Sequence, residues 1–205
     1  MLKVGLTGGY ATGKTLVAHQ LERLGCFVIY ADALGHAVLE PGGAAFGSTV
    51  EAFGPEILSA DGSIDRKKLA SVVFHSPALL EQLTGFVHPA VFQLESQLLA
   101  SHEAENPGGI AVLEAAILIE TGRYKDFDRI VLTACDPETQ IARGMKRDGL
   151  SREQVLERIA NQMPLDEKKK YAHYVISTDG PKEATVTQVQ QLYRRLQSRE
   201  ESDRA

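Results

Sequence analysis

The sequence predicts an α/β fold in three layers, with a five-stranded parallel sheet between helices. Short apolar runs alternate along the chain with segments whose apolar residues recur at helical spacing. The short runs are apolar at consecutive positions, as expected for strands that are buried on both faces of a parallel sheet. The predicted strands are residues 2–6, 26–30, 110–113, 129–134 and 172–177.

A glycine-rich loop follows the first predicted strand. Residues 8–15 read Gly-Gly-Tyr-Ala-Thr-Gly-Lys-Thr and fit the pattern G-x-x-x-x-G-K-T of phosphate-binding loops. A helical pattern follows and ends at Gly25, so backbone N–H groups and the positive end of a helix are directed at an anion. The order of strand, loop and helix favours a nucleoside-triphosphate site over a chance glycine turn, and with it a P-loop NTPase fold.

The loop residues have distinct expected roles. Lys14 is expected to contact the outer phosphates, and the Thr15 hydroxyl to ligate Mg²⁺. We expect ATP to contact the loop and the start of the helix through Gly8, Gly9, Ala11, Thr12, Gly13, Lys14, Thr15 and Leu16.

Composition limits the classes of protein that remain. A chain of 205 residues is long enough for one well-filled domain with insertions. Its net charge of −5 argues against a general nucleic-acid binder. No apolar run approaches the ~20 residues that span a bilayer, and the first strand begins directly after Met1, so we expect a cytoplasmic protein with no membrane partner.

The cysteines and histidines indicate the redox compartment and the kind of metal site to expect. Cys26 and Cys135 lie in apolar runs and are expected to be buried free thiols in a reducing compartment. The six histidines lack the spacing of metal ligands, so no zinc site is expected. They are His19, His36, His75, His88, His102 and His173.

Two long intervals without strands define the expected domain organisation. Residues 33–107 carry apolar residues at helical spacing and are predicted to be a helical insertion that binds the acceptor. Residues 141–170 are predicted to be a basic helical lid that closes over phosphates. The nucleotide-binding core would then be formed by residues 1–32, 108–140 and 171–205.

Sequence signals bound the helices of the predicted lid. Asp136 and Pro137 predict an N-cap and first turn, and Gly149 ends that helix. Ser151 and Gln154 resemble a capping box that opens a second helix through about residue 163. The lysines at 168–170 are expected to be solvated surface residues.

Four charged residues are candidates for chemistry. Asp32 follows the second strand, where a carboxylate can ligate Mg²⁺ through water or accept a hydrogen bond from an attacking hydroxyl; alternatively it caps a helix that begins at residue 33. Arg143 and Arg147 share one helix face and can stabilise charge on a transferring phosphoryl group, although a solvated basic face has the same pattern. Glu114 ends the third strand, either to hold a metal-bound water or contact the acceptor, or simply as a surface carboxylate.

Two motifs of other nucleotide-binding proteins are absent from the sequence, which argues against a GTP-dependent switch and a transport ATPase. The chain has no guanine-reading Asn-Lys-x-Asp segment and no Leu-Ser-Gly-Gly-Gln signature of transport ATPases. The small size, the helical insertion and the arginine-bearing lid instead favour a small-molecule kinase. They supply the positioning, charge neutralisation and exclusion of water that phosphoryl transfer mainly needs.

Several segments, in order, resemble dephospho-coenzyme A kinases. The resemblance runs from about residue 2 to 195. Its motifs are Leu6-Thr7-Gly8-Gly9, Ala31-Asp32, Val38-Leu39-Glu40-Pro41-Gly42, Asp61-Gly62-Ser63-Ile64-Asp65-Arg66, His88-Pro89, Gln140-x-x-Arg143, Arg147-Asp148 and Arg158-Ile159-Ala160-Asn161-Gln162.

The resemblance implies phosphorylation of the ribose 3′-hydroxyl of dephospho-CoA by ATP with Mg²⁺, the last step of CoA biosynthesis. It implies that Asp32 is the catalytic aspartate; Lys14, Arg143 and Arg147, from the phosphate loop and the basic helix, are the other expected catalytic residues. It also implies that His88 lies near the acceptor. Glu114 is a further expected acceptor contact, and we expect a monomer or weak homo-oligomer.

The chain departs from the family pattern at several positions. Tyr30 replaces the first aspartate of the usual Asp-Ala-Asp, and Thr178 stands where an asparagine is usual. The loop usually reads Gly-Ile-Gly-Ser-Gly-Lys-Ser, so Ala11 would be strained if its position needs a positive φ. Two alternatives remain open: a P-loop kinase that acts on a different nucleoside or sugar hydroxyl, and a nucleotide-binding regulator without turnover, which Tyr30 and Ala11 would favour.

Overall fold

The computed structural model describes residues 1–73 and 76–198. The chain divides into two compact units, one formed by Met1–Ile29 with the chain from His102 onward, and one formed by Tyr30–Ser101. His75 and the end of the predicted core segment after Ser198 lie outside the described residues.

The first unit is built on the predicted five-stranded parallel sheet, with strand order β2-β3-β1-β4-β5. All five strands occur where the apolar runs predict them, and their bounds differ from the prediction only at the ends. They are β1 (Leu2–Gly8), β2 (Phe27–Tyr30), β3 (Ile110–Glu114), β4 (Arg129–Ala134) and β5 (Tyr174–Ser177).

Two helices pack on one face of this sheet. Helix α1 (Lys14–Arg23) contacts β1 and β3, and α9 (Lys182–Ser198) contacts β5 and α1. Both helices turn an apolar stripe inward, where Leu21 of α1 and Leu192 of α9 are buried. The central strand β1 is fully buried at Val4 and Leu6, so the loop that follows it rises from the rigid middle of the sheet.

Three helices follow β4. They are α6 (Pro137–Asp148), α7 (Arg152–Ala160) and α8 (Leu165–Lys169). The predicted capping box at the start of α7 is present, because the Gln154 amide donates to Ser151 Oγ over 3.3 Å and the Ser151 amide donates to Gln154 Oε1 over 2.9 Å. The prediction that this helix continues to about residue 163 extends it too far, since α7 ends at Ala160 with Asn161 as its C-cap residue.

One of the three lysines at 168–170 is buried, contrary to the sequence prediction. The Lys168 side chain is 0% exposed; its ammonium donates to the Ala116 carbonyl over 2.7 Å and pairs with Glu120 Oε1 at 2.8 Å. Glu120 also accepts the Met163 amide. The reason for the error is geometric: α8 lies against β4, and helix periodicity turns one lysine inward while Lys169 stays 49% exposed.

The second unit is helical. It contains α2 (Ala31–Ala37), α3 (Phe46–Phe53), a 3₁₀ turn (Pro55–Ile57), α4 (Arg66–Val73) and most of α5 (Pro77–Glu105). Its own apolar core is formed by Phe53, Ile57, Leu69 and Val73. Among its described residues the β-type pairing is a single antiparallel bridge between Leu58 and Ile64. The segment boundaries at 33–107 and 141–170 remain predictions.

The two cysteines are buried and free, as the sequence predicts. Burial raises the pKa of the Cys26 thiol to about 12 and also raises the pKa of Cys135. Within residues 1–73 and 76–198, no helix combines the length and the apolar character needed to cross a membrane.

The buried ion pair predicts a large difference between neighbouring lysines. Lys168→Ala removes the partner of Glu120 and of the Ala116 carbonyl and should lower the free energy of unfolding by about 2–4 kcal/mol. Lys169→Ala, the matched control, breaks only an exposed i,i+3 pair with Asp166 and should cost less than about 0.5 kcal/mol. Urea unfolding of both variants measures the difference, and equal values would refute a structural role for Lys168.

Candidate functional site

The glycine-rich loop spans the end of β1 and the start of α1, with Gly13 at the helix N-cap. Its interior is held by two threonines: Thr12 Oγ1 donates to the Gly9 carbonyl over 2.9 Å and lies 2.8 Å from Thr133 Oγ1 of β4. A Cβ at position 8 would lie 2.2 Å from Thr133 Oγ1, so only glycine allows the loop to approach β4 this closely.

The expected strain at Ala11 is present. Its φ is 54°, and among the described residues it is the one non-glycine residue with a positive φ. An L-residue in this left-handed conformation costs roughly 1–2 kcal/mol. The surrounding contacts therefore impose the loop conformation on a residue that does not favour it.

The two polar side chains at the start of α1 have different surroundings. The Lys14 ammonium donates to the carbonyl groups of Gly8 and Gly9, over 3.3 and 2.9 Å. Thr15 is exposed in the first turn of the helix. The Leu16 amide donates to the Gly13 carbonyl and so starts the helical hydrogen bonding.

A cavity of about 530 Å³ opens over the loop. Five of the side chains around it are cationic, so the cavity is electropositive and suited to a polyphosphate. It is lined by Ala11, Thr12, Gly13, Lys14, Thr15, Arg143, Lys146, Arg147 and Lys182. The structure thus brings Arg143 and Arg147 of α6 to the same cavity as the predicted phosphate loop.

Thr178 connects Arg143 to the loop. Arg143 donates from Nη1 to Thr178 Oγ1 over 2.9 Å and from Nη2 to the Thr178 carbonyl over 2.6 Å. Thr178 Oγ1 in turn donates to the Thr12 carbonyl over 2.9 Å. Thr178 is 2% exposed, so these hydrogen bonds are shielded from water and fix the orientation of the guanidinium group.

Two glutamines hold the backbone of Tyr10. Gln140 of α6 donates from Nε2 to the Tyr10 carbonyl over 2.6 Å, and the Tyr10 amide donates to Gln162 Oε1 over 2.7 Å. The loop is therefore anchored by the segment after β4 as well as by the sheet.

Arg147 is fixed by its neighbour Asp148. Its Nε and Nη2 donate to the two carboxylate oxygens over 2.8 and 3.1 Å. These hydrogen bonds raise the pKa of Arg147, and together with the Tyr10 hydroxyl they lower the pKa of Asp148 to about 2. Both groups are charged at neutral pH.

The other predicted residues lie as follows. Glu114 is the last residue of β3, in register with Leu6 of β1, and is half-buried. Asp32 is exposed at the second position of α2. The helix begins at Ala31 with Tyr30 as its N-cap residue, so the alternative that Asp32 caps a helix beginning at residue 33 is wrong.

His88 lies inside α5 of the second unit. Its ring stacks on Phe92 with centroids 5.7 Å apart, and burial lowers the pKa of the imidazole. The neutral ring can donate from one nitrogen and accept at the other.

Sequence reasoning assigned no role to several residues of this site. Gln140 and Gln162 were identifiable only as members of motifs, and Lys146 only as a basic residue of α6. Lys182 carries no sequence signal, because a single lysine in the first turn of a helix is common. Thr178 was identifiable only as a departure from a family pattern.

Comparison with known proteins agrees with this geometry. A sequence model of the dephospho-CoA kinase family matches residues 2–183. A dephospho-CoA kinase of Cupriavidus pinatubonensis is 42% identical over 95% of this chain and 94% of its own length. A dephospho-CoA kinase of Geobacter metallireducens is 44% identical over 95% of this chain and 96% of its own length.

Solved structures share the fold. The crystal structure of TT1252 from Thermus thermophilus is 33% identical, with a TM-score of 0.78 over 95% of this chain and 97% of that one. Dephospho-CoA kinase from Campylobacter jejuni, at 23% identity and a TM-score of 0.74, supports the fold alone. The family match over most of the chain, together with the phosphate loop and its basic cavity, places the chain in the dephospho-CoA kinase family.

Proposed function

We propose that this protein transfers the γ-phosphoryl group of ATP to the ribose 3′-hydroxyl of dephospho-CoA, giving CoA and ADP. The observation that carries the proposal is the basic cavity over a complete phosphate loop, in a chain that belongs to the dephospho-CoA kinase family. This reaction is the last step of CoA biosynthesis.

The nucleotide half of the reaction follows from the loop. Backbone N–H groups of the loop and the N-terminus of α1 favour the negative phosphates, and Lys14 adds a mobile positive charge. Arg143 and Arg147 lie on the same cavity, where cations stabilise the charge that spreads over the transferring phosphoryl oxygens. Because Thr178 already orients Arg143, little reorganisation is needed during transfer.

Mg²⁺ fits the residues present at this cavity. The described residues contain no cluster of three or more His, Cys, Asp or Glu side chains that could hold a metal ion alone. Mg²⁺ needs no such cluster, since it is usually held by one or two protein groups with phosphate oxygens and water. The exposed Thr15 hydroxyl on the cavity would supply the protein ligand, with Asp32 proposed to act through water. Bound Mg²⁺ would neutralise charge on the phosphates.

The acceptor half is assigned to Asp32, His88 and Glu114. Asp32 is proposed to accept the proton of the 3′-hydroxyl and to orient this group, because a loose transition state gains little from strong base catalysis. The neutral imidazole of His88 and the carboxylate of Glu114 are proposed to bind the acceptor through hydrogen bonds. We propose that residues 33–107 bind the CoA moiety and that residues 141–170 close as a lid.

The proposed reaction also indicates the partners and the cellular location of the protein. Both substrates are small molecules, and we propose no nucleic-acid or membrane partner, a cytoplasmic location, and a monomer or weak homo-oligomer.

An acceptor assay tests the function. Purified protein is incubated with ATP and Mg²⁺ beside dephospho-CoA, adenosine, AMP or shikimate, and products are identified by mass. We expect turnover with dephospho-CoA alone and a product with the mass of CoA. Turnover of another acceptor would indicate a different P-loop kinase, and ATP binding without any turnover would indicate a nucleotide-binding regulator.

Substituting the proposed catalytic aspartate tests its role. Asp32→Ala should retain ATP binding and lower kcat by a factor on the order of 10² or more. The control is Glu22→Ala, which removes an exposed carboxylate at the far end of α1. An unchanged kcat in Asp32→Ala would exclude the catalytic role.

Replacing Thr178 tests the orientation of Arg143. Thr178→Val keeps the shape but removes the hydroxyl that joins Arg143 to the Thr12 carbonyl, so kcat/KM for ATP should fall about tenfold. Thr178→Ser should retain most of the activity. Thr187→Val removes an exposed hydroxyl within α9 and is the matched control. Equal activity of the two valine variants would contradict the prediction.

A further inference from the structure

Tyr10 has the one aromatic side chain of the phosphate loop, whose other residues apart from Lys14 are glycine, alanine and threonine, and it packs between α6 and α7. A Cβ at Gly144 of α6 would lie 2.6 Å from Tyr10 Cε1 and 3.0 Å from Val155 Cγ1 of α7. The aromatic ring therefore approaches α6 at a position where only glycine leaves room. A smaller loop residue would leave the space beside Gly144 and Val155 unfilled.

Charged groups from both helices converge on the same phenol. The Tyr10 hydroxyl donates to Asp148 Oδ2, the carboxylate that also binds Arg147. Arg158 of α7 donates to Asp148 Oδ2 over 3.1 Å. The guanidinium carbons of Arg147 and Arg158 lie 4.8 and 5.6 Å from the centre of the Tyr10 ring, within the range of cation–π attraction.

The placement of the loop does not depend on this side chain. Gln140 and Gln162 already hold the Tyr10 backbone, and Thr12 and Thr133 hold the loop interior. What the Tyr10 side chain adds is a set of contacts to Arg147, Asp148 and Arg158.

Arg147 is the member of this cluster that lines the phosphate cavity. Its side chain is 58% exposed, so without a support it would populate several rotamers. The Tyr10 ring lies against the guanidinium group of Arg147, and the Nε of Arg147 donates a hydrogen bond to Asp148. The guanidinium group is therefore held in one orientation before phosphate arrives.

We propose that Tyr10 is a positioning residue for phosphoryl transfer, which latches α6 and α7 to the phosphate loop and presents Arg147 to the transferring phosphoryl group. The kinetic part rests on the proposed function, whereas the latch itself is a property of the protein without substrates. Tyr10 acts through Arg147 and is not itself assigned a contact with the reacting atoms.

A kinetic cycle tests whether Tyr10 acts through Arg147. The variants are Tyr10→Phe, which keeps the ring in place and removes the hydroxyl, Arg147→Ala, and the double variant. We expect Tyr10→Phe to lower kcat about five- to tenfold with the dissociation constant of ATP changed less than about twofold. In the Arg147→Ala background the same substitution should cause no further loss of kcat.

The control is Tyr193→Phe, which removes an exposed hydroxyl that accepts a hydrogen bond from Gln197 within α9. Its kcat should equal that of the wild type. An unchanged kcat in Tyr10→Phe, or the same loss with and without Arg147, would overturn the kinetic proposal. A loss of ATP affinity equal to the loss of kcat would also overturn it, because that result would indicate a distorted loop.

Amide hydrogen exchange tests the latch without any acceptor. In the substrate-free protein, Tyr10→Phe should speed exchange in Arg152–Ala160 at least about threefold, with the exchange of Lys182–Ser198 unchanged. Unchanged exchange in α7 would overturn the latch. If the wild type failed to phosphorylate dephospho-CoA, the proposed function would fail, and the exchange measurement would still decide the latch.

Discussion

The carbonyl groups of the phosphate loop must be kept away from the anion that the loop binds, and the surrounding structure meets this constraint. The Gly9 carbonyl accepts hydrogen bonds from Thr12 Oγ1 and from Lys14, the Tyr10 carbonyl accepts from Gln140, and the Thr12 carbonyl accepts from Thr178. With these oxygens engaged on the protein side, the potential over the cavity is set by backbone N–H groups and basic side chains. The left-handed conformation of Ala11 is the conformational cost of this arrangement.

The same hydrogen bonds make the loop, the end of β5 and the helices after β4 one connected assembly. Thr178 lies 166 residues from the carbonyl that it binds, and Gln162 lies 152 residues from the Tyr10 amide. In the proposed reaction, a bound triphosphate would contact loop groups that are already tied to Arg143 through Thr178. This preorganisation is the electrostatic requirement of phosphoryl transfer, in which the protein mainly positions groups and neutralises charge.

The strain at Ala11 was expected from the family's loop pattern, whereas local patterns in the sequence were sufficient to predict the five strands, the phosphate loop and the capping box at Ser151. They depend on neighbours within a few residues, and such signals can be read from one sequence. The inward position of Lys168 was mispredicted because its partners at residues 116 and 120 are distant in sequence. The roles of Thr178 and Tyr10 also depend on long-range contacts, which is why the sequence identified Thr178 only as a departure from a family pattern and Tyr10 only as a residue of the loop.

A titration of ATP with Mg²⁺ into wild type and Lys14→Ala, followed by turnover with dephospho-CoA, tests the central claim most directly. Lys14 is the charged group that both engages the Gly8 and Gly9 carbonyls and faces the cavity. We expect the substitution to weaken ATP binding at least about tenfold and to abolish most of the turnover. Wild-type affinity and turnover in Lys14→Ala would contradict the assignment of this loop as the phosphate site.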